Sequence, residues 1–82
     1  MSVYEYNICN VADENIYRQQ CKALEKAMPD LIRVRELEDV DGGRYMKYSY
    51  KSNDITVKNS VYLDGVYVIS QIPLEPFFPQ ST

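Results

Sequence analysis

The sequence has no histidine and no tryptophan, and its 82 residues include only two cysteines and three glycines. Without histidine, the chain cannot build a Ser-His-Asp triad, a histidine metal site or a histidine pH switch. A cation excess is also missing, because nine Lys and Arg residues stand against twelve Asp and Glu residues, which gives a net charge of −3. That balance disfavours nucleic acid and anionic membranes as default partners.

Long apolar runs are absent as well, and no stretch approaches the roughly 18 residues that a membrane-spanning helix needs. The first residues contain neither a basic run nor the apolar core of a signal peptide. Cys9 and Cys21 are too few to form a disulfide scaffold. We therefore expect a cytoplasmic protein without cofactor, metal or membrane contact, in which both cysteines are small buried hydrophobes.

The residue pattern predicts one strand, one helix and then only strands, within a single domain spanning residues 1–82. Apolar and polar residues alternate over 2–9, as in a strand. A helix over about 13–28 is indicated by its N-cap Asp13, by Pro29 beyond its end, and by an apolar stripe of Tyr17, Cys21, Leu24 and Met28. Four further strands are predicted over 31–39, 44–51, 55–63 and 66–72, followed by a proline-rich tail at 73–82.

The predicted fold class is therefore α+β, with the order β-α-β-β-β-β and the helix packed on one face of an antiparallel meander. This order of elements resembles the layout of cystatin-like folds, in which one helix lies across a curved antiparallel sheet. The hairpin motifs of cystatin inhibitors are missing, because the corresponding segments read Val40-Asp41-Gly42-Gly43 and Leu63-Asp64-Gly65-Val66. Inhibition of papain-type proteases therefore has no support.

Turn chemistry predicts which residues share a face of the sheet. A two-residue turn at Asp64-Gly65 pairs Leu63 with Val66, and one at Ser52-Asn53 pairs Tyr50 with Ile55. Both turns place the same residues on an inner, apolar surface: Met46, Tyr48, Tyr50, Ile55, Val57, Val61, Leu63, Val66, Val68 and Ile72.

The first hairpin admits two forms. A tight loop puts Leu37 inside, but together with Arg33 and Arg35. A three-residue loop with a bulge puts Ile32 and Val34 inside and leaves both arginines in solvent. We expect the bulged form, because burying unpaired charge is costly.

Three features are candidates for binding a partner. Tyrosines on the outer face of the meander offer large rigid contacts, although cross-strand tyrosine pairs also stabilise ordinary sheets. An acidic hairpin can meet a basic surface or simply keep an edge strand soluble. We expect Leu74, Phe77 and Phe78 of the tail to fold back and close one end of the core, and the alternative is an exposed apolar arm. The candidate partner-binding residues are Tyr45, Tyr62, Tyr67, Ile69, Glu36, Glu38, Asp39, Asp41, Phe77 and Phe78.

No phosphate loop, Cys/His metal spacing or nucleophile elbow is present, so the sequence predicts no enzyme and no catalytic residue. The favoured hypothesis is a small protein-interaction module of the inhibitor or immunity type, as phages and mobile elements encode, which binds and blocks a larger protein target with a basic surface. A homodimer or assembly subunit is one alternative. Binding of single-stranded nucleic acid through the tyrosine and lysine face is a second alternative.

Overall fold

The computed structural model describes residues 3–40 and 42–77 and confirms the predicted order of elements. The α+β layout has these elements in chain order: β1 (Tyr4–Cys9), α1 (Glu14–Ala27), β2 (Ile32–Glu38), β3 (Arg44–Tyr50), β4 (Asn53–Ser60), β5 (Gly65–Ser70) and a 3-10 turn (Glu75–Phe77). The strands form one antiparallel sheet in the order β1-β5-β4-β3-β2. No described helix is long and apolar enough to cross a membrane.

Helix α1 packs over β4 and buries the predicted apolar stripe. The carboxylate of Asp13 starts the helix by accepting hydrogen bonds from the backbone N–H groups of Asn15 and Ile16. We call the sheet surface under the helix the inner face and the opposite surface the outer face. The core between helix and sheet consists of Tyr17, Cys21, Leu24, Met28, Met46, Tyr48, Ile55, Val57, Val66, Val68 and Leu74.

The register between β3 and β4 differs by two residues from the prediction. Tyr48 lies opposite Ile55 rather than Val57, because the turn residues are Lys51 and Ser52. Both have positive φ, 49° and 69°, which is the geometry of a type I′ turn. Since the shift is an even number of residues, the predicted inner face is preserved.

The prediction for the β4–β5 connection is also wrong in detail, because β4 ends at Ser60 and not at Leu63. Val57 lies opposite Val68, and Ser60 lies opposite Gly65, so Val61 and Leu63 belong to a four-residue turn and not to the core. The turn is held by the Ser60 hydroxyl, which accepts from the Leu63 N–H at 3.0 Å. Gly65 therefore begins a strand instead of forming the turn.

The first hairpin follows the predicted register only near its tip, where Glu38 lies opposite Arg44. A bulge between Arg33 and Arg35 then shifts the pairing. Ile32 is 62 % exposed instead of buried, and Val34 is 53 % exposed. Arg33 lies opposite Tyr48 on the inner face, where Glu25 of the helix neutralises it at 2.7 Å. Arg33 thus stays exposed to solvent as predicted, but it lies on the inner face, where Ile32 and Val34 were expected.

Strand β1 and the tail complete the two ends of the core. Tyr6 lies opposite Val68, and its hydroxyl accepts from the Leu74 N–H at 2.8 Å while donating to Glu75 at 2.9 Å. Leu74 is fully buried. The half-buried Phe77 ring meets Tyr50 edge to face at 6.0 Å. The expectation that the tail closes the core is thus confirmed for Leu74 and Phe77, while Phe78 lies outside the described residues.

Candidate functional site

Three loops meet at one end of the sheet. The β1–α1 loop, the β2–β3 loop and the β4–β5 turn all lie there, because the strand ends that they connect are hydrogen-bonded neighbours. These loops expose large apolar side chains: Val11, Val40, Val61, Tyr62 and Leu63. Tyr62 is 84 % exposed, and Val40 is completely exposed. We call this set of five residues the loop edge.

The loop edge is built on a fixed backbone. The side chain of Asp64 accepts from the Ala12 N–H at 2.9 Å, and the side chain of Asn59 accepts from the Asp13 N–H at 3.1 Å. These two bonds tie the β1–α1 loop to the β4–β5 turn and to the end of β4. In the neighbouring hairpin, the Asp39 N–H donates to the Gly43 carbonyl at 2.8 Å. The exposed apolar side chains therefore stand on loops that are anchored to the sheet, as binding loops usually do.

A depression of about 360 Å³ lies between two of these loops. It is lined by Asp39, Val40, Lys58, Ser60, Tyr62 and Leu63. A second depression, of about 260 Å³, continues from it across the outer face and shares Asp39 and Lys58 with the first. Its other lining residues are Tyr45, Lys47, Thr56 and Ile69. The loop edge and the outer face are therefore adjacent parts of one irregular surface.

Register assigns the outer face two rows of side chains. The first row crosses the sheet as Leu37, Tyr45, Lys58, Tyr67 and Asn7. The second row is Arg35, Lys47, Thr56, Ile69 and Glu5. Three predicted site residues, Tyr45, Tyr67 and Ile69, thus share the outer face, whereas Tyr62 belongs to the loop edge.

The predicted acidic hairpin is not one surface. Glu36 points to the inner face, where it accepts from the Tyr17 hydroxyl at 2.8 Å and pairs with Arg44 at 3.6 Å. Glu38 is exposed and lies opposite Arg44, whereas Asp39 lines both depressions. Asp41 lies outside the described residues. Glu36 therefore connects β2 to the helix and to β3, whereas Glu38 and Asp39 form no ion pair with any described residue.

The most strongly shifted groups lie under the helix. Burial, together with hydrogen bonds to Glu36 and Glu25, raises the pKa of Tyr17 and Tyr48 far above the ordinary value for tyrosine. Burial alone would raise the pKa of Glu25. However, the bond from the Tyr48 hydroxyl at 2.6 Å and the ion pair with Arg33 outweigh burial, and the pKa is lowered.

These shifts indicate a structural role for the groups under the helix. Each ionised group has a partner, and burial raises the pKa of the Cys21 thiol, which keeps it protonated. Among residues 3–40 and 42–77, no cluster of carboxylates and cysteines is arranged to hold a metal ion. The described surface presents apolar, aromatic and charged side chains.

The sequence did not identify most of the loop edge. Val61 and Leu63 were expected in the core, and Val11 was not singled out. The exposure of Val40 could have been predicted, because an apolar residue between two aspartates in a hairpin loop has no core to enter.

Comparison with protein-family models, curated proteins and solved structures finds no match to this chain. No function is therefore indicated by a related protein.

Proposed function

We propose that this chain is a protein-binding module of the inhibitor type, and that its loop edge inserts into a cleft of a larger protein. One observation carries the proposal: five large apolar side chains from three separate loops are exposed together at one end of the sheet. Three of them, Val40, Tyr62 and Leu63, line one depression. Scattered exposed apolar residues are ordinary, but apolar residues grouped on anchored loops are typical of a protein interface. Tyr62 supplies the kind of large amphipathic side chain on which interface energies concentrate.

The charges around the loop edge define the chemistry of the partner. Glu38, Asp39 and Asp64 are carboxylates in or beside these loops, and Lys58 is the neighbouring cation. A cleft with an apolar floor and a basic rim is complementary to that arrangement. Association with such a target should slow as salt concentration rises, because the rim charges are exposed and screened.

The position of the apolar residues at one end of the sheet also favours blocking over mere attachment. Substrates and ligands bind in concave sites, which are usually few in each protein. A rigid edge that fills such a cleft excludes the natural ligand without any chemical step. This physical argument supports the hypothesis of an inhibitor or immunity protein.

The test compares two matched pairs of surface substitutions. Tyr62→Ser with Leu63→Ser removes the centre of the loop edge, whereas Ile32→Ser with Val34→Ser removes comparably exposed apolar groups on edge strand β2. Both variants should stay folded, because surface changes usually alter stability by less than about 0.5 kcal/mol. After a target is captured from the native host, its affinity for each purified variant is measured by calorimetry.

We expect the loop-edge variant to lose at least about tenfold in affinity, which corresponds to about 1.4 kcal/mol, and the β2 variant to bind like the original chain. Equal losses in both variants, or no loss in either, would contradict the proposal. Failure to retain any target would contradict it too.

A further inference from the structure

The cations of this chain are divided between its two faces. Every ion pair among the described residues involves helix α1 or the inner face, with Arg18, Arg33 and Arg44 as the cations. Arg35, Lys47 and Lys58 lie on the outer face and form no ion pair with any described residue. A net acidic chain thus keeps three cations without an ion pair on one open sheet surface, which they share with the carboxylates of Glu5 and Asp54 and with Asp39 at its border.

Two tyrosines flank the central cation. Lys58 on β4 lies directly between Tyr45 on β3 and Tyr67 on β5. Adjacent strands are about 4.8 Å apart, so the two rings start from positions roughly 10 Å apart across the sheet. The Tyr67 ring lies along the sheet surface over Gly65, since a Cβ at Gly65 would meet the Tyr67 hydroxyl at 2.8 Å. A ring in that position offers its other side as a flat platform.

We infer that the outer face binds single-stranded nucleic acid, with bases stacked on Tyr45 and Tyr67 and phosphates held by Arg35, Lys47 and Lys58. The depression of about 260 Å³ on this face is lined by Tyr45, Lys47 and Lys58 of this set, together with Thr56, Ile69 and the carboxylate Asp39. Aromatic rings interleaved with cations on an open sheet are the combination that such binding uses. Unpaired bases can reach the rings, whereas a duplex keeps its bases stacked and offers mainly phosphates.

This inference is independent of the proposed protein target, because it rests on the outer face and not on the loop edge. The depression beside the loop edge and the depression on the outer face share only Asp39 and Lys58. Substitutions at Tyr62 and Leu63 should therefore leave nucleic-acid binding unchanged. Failure of one proposal is distinguishable from failure of the other.

The experiment titrates the full chain into a labelled oligothymidylate of about 12 nucleotides, a length within the range that a single-strand-binding domain covers. Affinity is measured between about 50 and 200 mM salt. Neutralising three phosphates on a single strand predicts a slope of log K against log salt of about −2. Lys58→Gln should weaken binding and make the slope shallower by about 0.7. Lys22→Gln, on the exposed side of the helix, is the matched control and should change neither.

Stacking is tested separately from charge. Tyr45→Leu and Tyr67→Leu should each lower affinity about fivefold or more, which corresponds to about 1 kcal/mol per stacked base, with no change in slope. Because Tyr67 also covers Gly65, the folding of the Tyr67→Leu variant is checked by thermal melting. If the Tyr67→Leu variant is unfolded, the Tyr45→Leu variant alone provides the test. No binding at about 50 mM salt would overturn the inference. Equal binding of a duplex, binding of an acidic peptide in place of the oligonucleotide, or unchanged affinity in the Tyr45 variant would overturn it too.

Discussion

Gly65 is the clearest single residue whose identity the packing dictates. A Cβ at this position would lie 2.8 Å from the Tyr67 hydroxyl and 2.9 Å from the backbone carbonyl oxygen of Cys9. The tyrosine can rotate away, but the carbonyl belongs to the neighbouring strand β1, which pairs with β5. Glycine is required here for close approach of two backbones and not for a turn.

Gly65→Ala should therefore destabilise the fold by roughly 1–3 kcal/mol, as overpacking of a filled site usually does. Urea unfolding followed by circular dichroism measures the effect. Adding Tyr67→Ser should recover only part of the loss, because the Cys9 carbonyl still meets the new methyl group. Full recovery in the double variant would mean that the tyrosine alone sets the requirement, and an unchanged midpoint would contradict the packing argument.

At the scale of elements, the hairpin turns explain where prediction from sequence succeeded and failed. Periodicity alone located the helix and all five strands, because each has a strong apolar pattern. The predicted pairings of β3 with β4 and of β4 with β5 were wrong by even numbers of residues, because the first turn uses Lys51 and Ser52 instead of Ser52 and Asn53, and because β4 ends at Ser60. Even shifts keep the residues that remain paired in β3, β4 and β5 on their predicted faces, so the core of the meander is as predicted except for Val61 and Leu63.

The β3–β4 turn is consequently open to stabilisation. Ser52 has φ 69°, a conformation in which an L-residue is about 1–2 kcal/mol less stable than in the right-handed region. Ser52→Gly should raise the free energy of unfolding by roughly 0.5–1 kcal/mol, because glycine adopts this conformation at little cost. Asn53→Gly, one residue later in β4, is the control and should lower it. Thermal unfolding compares the two, and a loss of stability in the Ser52 variant would refute the strain argument.

The bulge at Val34 marks the limit of such prediction. No sequence pattern predicts this bulge, yet it decides that Arg33 and not Ile32 or Val34 faces the helix.

The candidate site was predicted incompletely for a related reason. Tyr45, Tyr67 and Ile69 follow from periodicity, whereas Val61 and Leu63 join the loop edge only because β4 ends at Ser60. Strand ends depend on side-chain contacts across the whole sheet, which periodicity does not contain.

For the molecule as a whole, two tyrosine–carboxylate bonds join helix, sheet and edge strand. Tyr17 of the helix donates to Glu36 of β2, and Tyr48 of β3 donates to Glu25 of the helix. Burial first, and then each hydrogen bond, raises the pKa of both phenols above their ordinary value of 10.0. A group whose pKa is raised by folding adds stability below its unfolded value, and that stability is lost as pH rises further.

We therefore expect the free energy of unfolding to fall steeply above about pH 10, where the unfolded chain ionises its tyrosines. Tyr48→Phe should cost about 1 kcal/mol at neutral pH, because Glu25 loses a hydrogen-bond donor, and should make the alkaline fall shallower. Denaturant unfolding at a series of pH values measures both, with tyrosinate absorbance reporting ionisation. An equally steep alkaline fall in the Tyr48→Phe variant would contradict this assignment.

The pairing of β1 with β5 has a consequence for how the chain folds. The meander from β2 to β5 is assembled from neighbouring hairpins, each with a short loop, whereas Tyr4 must find Ser70 across most of the sequence. Closing so long a loop carries a larger entropy cost than closing a hairpin. Because the paired residues are so far apart in sequence, we expect β1 to pair with β5 late in folding. Until that event, β5 is an open edge on which another extended chain could pair, so early folding is the stage at which this protein is most exposed to misassembly.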